Sequence, residues 1–173
     1  MSNAIRRGVR SIGPWLLLLG AIVLWVTFDG GRAEVLPAGT PAPPLRVPWT
    51  DGGELDLSAR RGRVTVLAFW ATWCPACRRE GPMLSRVHER IAPRGDAVVG
   101  VSVDRAPLGS VARAARSLGM TYPIALATRA DIDRYRIELL PSLVVIGPDG
   151  RVAASFAGGA GEDELLEAVE RAR

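Results

Sequence analysis

The sequence predicts an α/β domain whose sheet, parallel in part, is covered on both faces by helices and closed by an antiparallel pair of strands. Three observations predict it. Residues 64–70 and 97–103 are continuous apolar, β-prone runs, and a strand buried on both faces loses the polar alternation of a half-solvated one. Segments of helical periodicity follow each run, the arrangement that lays successive strands side by side in parallel. Late in the chain, Leu143 to Ile146 and Arg151 to Phe156 alternate in polarity about Gly147-Pro148-Asp149-Gly150, whose turn chemistry predicts a hairpin.

At 173 residues the chain is long enough for one domain with a full core. Residues 1–10 carry Arg6, Arg7 and Arg10 and no acid, and residues 11–28 carry no charge at all. The uncharged run is at the short end of what spans a bilayer and slightly long for the core of a signal peptide. We read it as an uncleaved membrane anchor, with cleavage after Gly31-Arg32-Ala33 as the alternative. Arginines on its N-terminal side hold that end in the cytoplasm and send the rest across the membrane. Residues 29–44 are dense in glycine and proline and predict a tether, and residues 45–173 form the domain. On either reading the domain is exported, to a compartment where disulfides form and persist.

Leu45-Arg46-Val47 and Glu54-Leu55-Asp56-Leu57 alternate around Asp51-Gly52-Gly53 and predict an early hairpin. The strand over 64–70 leads into a helix running towards Ile91. Pro82 inside that helix predicts a bend or a restart, with Met83, Leu84, Val87 and Ile91 as the apolar stripe beyond it. After the strand over 97–103, Pro107 to Leu118 predicts a helix stopped by Gly119, Pro123 to Ala127 a short strand, and Asp131 to Tyr135 a short helical turn. Glu162 to Ala172 predicts a closing helix, with acids in its first turn and arginines in its last to match the helix dipole.

The chain's two cysteines stand at the first strand-to-helix junction, in Phe69-Trp70-Ala71-Thr72-Trp73-Cys74-Pro75-Ala76-Cys77. Proline is favoured at the first position of a helix, so Pro75 puts Cys74 at the N-cap. A sulfur there faces unpaired amide hydrogens and the positive end of the dipole, which favour thiolate over thiol and make Cys74 the expected nucleophile. A helix terminus contributes up to ~2 kcal/mol, and one pKa unit corresponds to about 1.4 kcal/mol, so the dipole alone lowers the pKa by roughly one and a half units. Cys77, three residues on, supplies an S–H hydrogen bond to the thiolate and is the natural resolving thiol. Helical neighbours at that spacing sit ~5–6 Å apart at Cβ, against about 3.5–4.5 Å for a disulfide, so closure is expected to distort the first turn. The bland reading, a structural disulfide or two buried thiols, is the weaker one for a Cys-x-x-Cys pair at such a junction.

With these residues in view, the chain from about Gly39 to Arg173 resembles a thioredoxin-fold protein, and within that fold the membrane-anchored bacterial disulfide reductases of the TlpA, ResA and DsbE type. The marks are the cysteine motif, Leu140-Pro141-Ser142 before a strand, the terminal hairpin and helix, and the early extra hairpin. The resemblance implies a cis bond before Pro141, which packs against the disulfide, and a backbone at Leu140 that pairs with a substrate strand. Trp73 and Pro75 flank Cys74 and are assigned with Leu140 and Pro141 to the substrate-contacting surface, while Trp70 is assigned to the core. Thioredoxin itself carries a buried aspartate six residues before its first cysteine, where this chain has Ala68. Glu80, one helical turn after Cys77, matches an acidic residue of the reductase branch and is the candidate acceptor for the Cys77 proton; the alternative is a solvated acid near a helix start.

The resemblance also implies protein disulfides as substrates, the Cys-x-x-Cys-His site of apocytochrome c among them. It implies a transmembrane thiol carrier as electron donor, and a place on the bacterial inner membrane with the domain facing the periplasm. No cofactor is expected beyond the Cys74–Cys77 couple. Two alternatives stay open: a peroxidase of the peroxiredoxin type, because Thr72 stands two residues before Cys74, and a copper-delivery protein on the same fold, which needs a distal histidine. The chain has one histidine, His88, expected on a helix surface, and with two cysteines it does not make the usual four-ligand zinc site. Its 22 basic residues are all arginine, scattered among 18 acids for a net charge of +4, which does not make the clustered tract of a nucleic-acid binder.

Overall fold

β-branched and aromatic residues dominate residues 65–70, and in the computed structural model, which describes residues 35–50 and 52–173, they form a strand buried along its whole length. This strand, β3 (Thr65–Trp70), is the middle of a five-stranded sheet. It pairs in parallel with β4 (Ala97–Ser102), which pairs in parallel with β5 (Ile124–Leu126) at one edge. On its other side β3 pairs antiparallel with β6 (Ser142–Ile146), and β6 with β7 (Val152–Ala157), giving the order β5-β4-β3-β6-β7. The early hairpin is a separate antiparallel pair, β1 (Arg46–Pro48) against β2 (Glu54–Asp56), with Val47 opposite Leu55. Leu57 leaves it for a 3-10 turn over Leu57–Arg60, which Asp56 caps by accepting the Ser58 N–H.

Helices cover the two faces unequally. Successive residues of a strand point to opposite sides, so Val66, Ala68 and Trp70 share a core with helices α1 (Pro75–Ile91), α2 (Leu108–Ser117) and α4 (Glu162–Arg171), through Leu84, Val87, Val111, Ala115, Leu165 and Val169. The crossovers from β3 to β4 and from β4 to β5 step the same way across the sheet, and right-handed crossovers with one sense of step fall on one face. Leu67 and Phe69 point the other way, onto the hairpin residues Leu45, Val47 and Leu55 and onto Tyr135, which ends the short helix α3 (Arg129–Arg134). The Phe69 and Tyr135 rings lie 5.2 Å apart and tilted, and the Tyr135 hydroxyl donates to the Pro43 carbonyl at 2.7 Å.

Several boundaries differ from the sequence expectation. Helix α1 continues through Pro82 without a restart; that residue and Arg78 are both exposed, so the carbonyl left without an intrahelical donor lies where water can satisfy it. Helix α3 begins two residues early because Thr128 and Asp131 close a reciprocal capping box. The segment expected as tether joins the fold already at Val35. Val35 and Leu36 are buried, Gly39 N–H donates to the Val152 carbonyl and Val152 N–H returns a bond to Thr40, so this stretch covers the edge at β7. Thr50 does the same for β5, donating its N–H to the Ile124 carbonyl at 2.8 Å. The predicted anchor over 11–28 and the first part of the tether lie outside the described residues; among those described, no helix is long and apolar enough to cross a membrane.

Candidate active site

Strand β3 delivers the chain to the carboxyl end of the sheet, where open α/β sheets place their sites. Pro75 is the first residue of α1, and Cys74 is its N-cap in an extended conformation, φ −88° and ψ 107°. The two sulfurs are bonded to each other, with the Cα atoms 5.4 Å apart. Cys77 N–H donates to Cys74 Sγ at 3.1 Å, the bond an N-cap side chain makes to the third helical residue. The expected distortion of the first turn is not needed. Cys74 lies outside the helix, so its extended backbone swings the sulfur over Cys77 while α1 stays intact from Pro75 onward. Both cysteines are nearly covered, Cys74 at 5% and Cys77 at 2% exposure, but Trp73 on one side of Cys74 is 68% exposed and Pro75 on the other is exposed as well. The disulfide therefore sits at the rim of the core.

Glu80 follows one turn after Cys77 on the same helix and is half-buried. Its Oε1 accepts the Ala160 N–H at 3.2 Å. Burial pushes its pKa up to about 7, with the Ala160 hydrogen bond pulling the other way. The nearby Tyr122 hydroxyl is held well above its ordinary value by its own burial and by the Glu80 charge. Trp70 packs in the core, and Ala68 is buried in the same layer. No carboxylate stands at the position of Ala68, and the half-buried carboxyl one helical turn after Cys77 is that of Glu80 on α1.

The Leu140–Pro141 bond is cis, and Pro141 leads directly into β6. Gly158 N–H donates to the Pro141 carbonyl at 2.8 Å, which ties the start of β6 to the loop after β7. Leu140 and Trp73 line one cleft of about 310 Å³, together with Asp104, Arg105, Arg129 and Glu138. Leu139 beside them is 52% exposed. The structure thus gathers the sequence candidates at one end of the sheet: Cys74, Cys77 and Glu80 on α1 and its cap, Trp73 and Leu140 on a shared cleft, and Pro141 across Gly159 from Glu80.

Sequence reasoning missed Asp104. It is 9% exposed, and its carboxylate accepts the Thr72 N–H at 2.9 Å, the Thr72 hydroxyl at 2.8 Å and the Ser102 hydroxyl at 2.7 Å. It pins the loop that carries Trp73 and Cys74. The signal was present, since Asp104 ends the apolar run over 97–103 and so falls at the same carboxyl end as the cysteines. His88 stands partly exposed on α1, as expected of a helix-surface residue, and its Nδ1 also accepts the Val98 N–H at 3.2 Å, which ties α1 to β4. Among the described residues no group of three or more His, Cys, Asp or Glu is placed to hold a metal ion.

Comparison with known proteins agrees with this geometry. The family model of the AhpC/TSA family matches residues 38–155. The chain is 29% identical over 155 residues to the thiol-disulfide oxidoreductase ResA of Bacillus subtilis, covering 89% of this chain and 84% of that one. It is 28% identical over 158 residues to ResA of Geobacillus kaustophilus, covering 90% of each. Among solved structures, a thiol:disulfide interchange protein of the thioredoxin family from Chlorobium tepidum superposes with a TM-score of 0.68 at 29% identity, covering 79% of this chain and 97% of its own. The thioredoxin domain of a thiol-disulfide oxidoreductase from Bacteroides vulgatus gives 0.69 at 25% identity, with the same coverage.

Proposed function

The chain belongs to the AhpC/TSA family, and from that premise we propose that it is a thiol–disulfide oxidoreductase that reduces disulfides in exported proteins. The observation that carries this reading is a bonded cysteine pair capping a helix, with a half-buried carboxyl one turn away. In the reduced protein the Cys74 thiolate attacks one sulfur of a partner disulfide. That bond breaks, its other sulfur leaves as a thiolate and takes up a proton, and a mixed disulfide joins Cys74 to the partner. Cys77 then passes its proton to the Glu80 carboxylate and attacks Cys74 as a thiolate. The partner's remaining sulfur leaves as a thiolate with the bonding pair and takes up a proton, so that two electrons in all have passed to the partner and the Cys74–Cys77 disulfide remains. Trp73, Pro75, Leu140 and Pro141 form the contact surface, with the Leu140 backbone pairing to an extended substrate segment.

A dithiol that donates two electrons must be reduced again, and a transmembrane thiol carrier fits a domain outside the cytoplasm. The uncharged run over 11–28 behind three arginines supports a single anchor in the bacterial inner membrane with the domain on the periplasmic side. The Cys-x-x-Cys-His site of apocytochrome c is the substrate the ResA and DsbE resemblance favours. No cofactor beyond the cysteine couple enters this scheme. Against the peroxidase alternative, the Thr72 hydroxyl is committed to Asp104. Against the copper alternative, one ring nitrogen of His88 is committed to Val98.

Equilibration of the couple with a glutathione or dithiothreitol buffer tests the direction. A potential near that of thioredoxin, about −270 mV, is expected, and one near that of DsbA, about −120 mV, overturns the reductase reading.

A further inference from the structure

The loop after β7 touches both halves of the site. Gly158 N–H donates to the Pro141 carbonyl at 2.8 Å, and Ala160 N–H donates to Glu80 Oε1 at 3.2 Å. Between them Gly159 has φ +88°, the left-handed region that favours glycine. A Cβ built on it would overlap Glu80 Oε1 and lie 3.2 Å from Pro141 Cγ. Any side chain at this position displaces the carboxyl, the proline ring or the loop itself.

From this geometry we infer that Gly159 and Ala160 are positioning residues for the resolving step: Gly159 leaves the room the Glu80 carboxyl occupies, and the Ala160 N–H favours its charged, proton-accepting form. The inference rests on the reading of Glu80 as proton acceptor. A carboxyl set into protein is driven towards its neutral form, and a neutral carboxyl accepts no proton. Helix α1 brings Cys74 and Cys77 to this group, and the segment before β5 brings Tyr122, whose hydroxyl stays protonated. Leu140, Pro141 and Gly158 to Gly161 bring no ionisable side chain. Among the described residues no cation pairs with Glu80, so the loop amide supplies what opposes burial. The same loop holds the Pro141 carbonyl, so it spans from the segment that meets substrate to the group that takes the proton.

The test uses the full chain, oxidised, in detergent micelles, with the Ala160 amide followed by NMR from pH 5 to 9. Its resonance is expected to titrate with a midpoint near 7, together with the Glu80 carboxyl carbon, and to stop titrating in Glu80→Gln. An Ala160 amide that does not move overturns the inference. In Gly159→Ala the Glu80 midpoint is expected to rise by about one unit, a tenfold change in proton affinity, because the amide bond is lost while burial remains. An unchanged or lowered midpoint overturns it, and if that variant fails to fold the unsubstituted chain's titration decides alone. Release of a mixed disulfide in single turnover separates the two readings. A rate unaltered in Glu80→Gln overturns the acceptor role, whereas a silent Ala160 amide overturns the positioning role alone.

Discussion

Two carboxylates are set into the protein at opposite ends of the sheet, and they are treated in opposite ways. Asp96, just before β4, is 5% exposed; it accepts the Val64 N–H at 2.8 Å and pairs with the Arg173 guanidinium. Around it Arg60 donates to the Gly95 carbonyl, and Arg94 pairs with Glu170. Glu80, at the carboxyl end, has one backbone N–H and, among the described residues, no cation, and large apolar side chains, Trp73 and Leu139, stand exposed nearby. At the far end the Asp96 carboxylate is closed by a guanidinium and a backbone N–H, which makes the group a fastening. At the near end burial holds the Glu80 carboxyl in a proton equilibrium close to neutrality.

The comparison is broken most completely at the near end. Replacing Cys77 by Ala leaves Cys74 able to attack but with nothing to release what it captures. Turnover is expected to fall to background, and the variant should accumulate partners bound through Cys74, seen as adducts that dithiothreitol dissolves. The fold of the reduced protein should be unaffected. Recovery of no adduct from cells would falsify the claim that its substrates are proteins.

At the far end the expected effects reverse. Asp96→Ala leaves the buried Val64 N–H without its acceptor and Arg173 with only its more exposed partner, Glu170. Removing one partner of a largely buried pair costs about 2–4 kcal/mol, read as a lower denaturant midpoint at unchanged slope. The redox equilibrium constant read from the reduction potential, and the exchange rate, should each stay within about twofold. A change in potential larger than that would mean that the two ends of the sheet are coupled and the contrast is false.

Glu80→Gln tests the same contrast from the other side. Without the carboxylate, the resolving step at neutral pH is expected to slow by roughly 10–100-fold, at or below the low end of what a positioned base contributes, because water and buffer can also take the proton. Stability should change with pH in a way opposite to an ordinary paired acid. The folded pKa of Glu80, about 7, lies above the ordinary carboxyl value, so its contribution is complete below pH 4 and is lost as the pH rises through 7. Above neutrality the unsubstituted protein thus carries a penalty on the order of 2–3 kcal/mol that the Gln variant lacks. Denaturation midpoints at pH 5 and pH 8 should converge in the variant. Equal slopes in both proteins would show that Glu80 is solvated.

Much of this was readable from residue order alone, for reasons that differ by element. The strands at 64–70 and 97–103 announce themselves because burial on both faces demands unbroken apolar runs, and Pro75 announces the helix start by its missing N–H. The placement of three helices on one face was not legible, because it depends on the direction in which the strands step, which no local pattern records. The packing of residues 35–44 was hidden by their prolines, which exclude a helix but not an extended strip bonded to an edge strand. Gly159 and Ala160 escaped for a related reason. Their meeting with Glu80 joins residues 80 positions apart, and spacing along the chain says nothing about such a contact.

Thr72 gives the smallest expected effect and the finest edge of the comparison, because it lies at the near end yet is tied down like a far-end group. Asp104 takes both its N–H and its hydroxyl hydrogen, so the side chain acts as a fastening for the loop that carries Cys74. Thr72→Val keeps the backbone bond and removes the hydroxyl one. A single hydrogen bond to a charged acceptor is worth about 1.5–3 kcal/mol when fully buried, and at this partly buried position the loss should be about 1 kcal/mol. The disulfide exchange rate should stay within about twofold of the unsubstituted protein, since no step routes a proton or a bond through this oxygen. If instead exchange fell tenfold or more while the stability loss stayed near 1 kcal/mol, the hydroxyl would belong to the chemistry, and the peroxidase reading that Thr72 first suggested would have to be reopened.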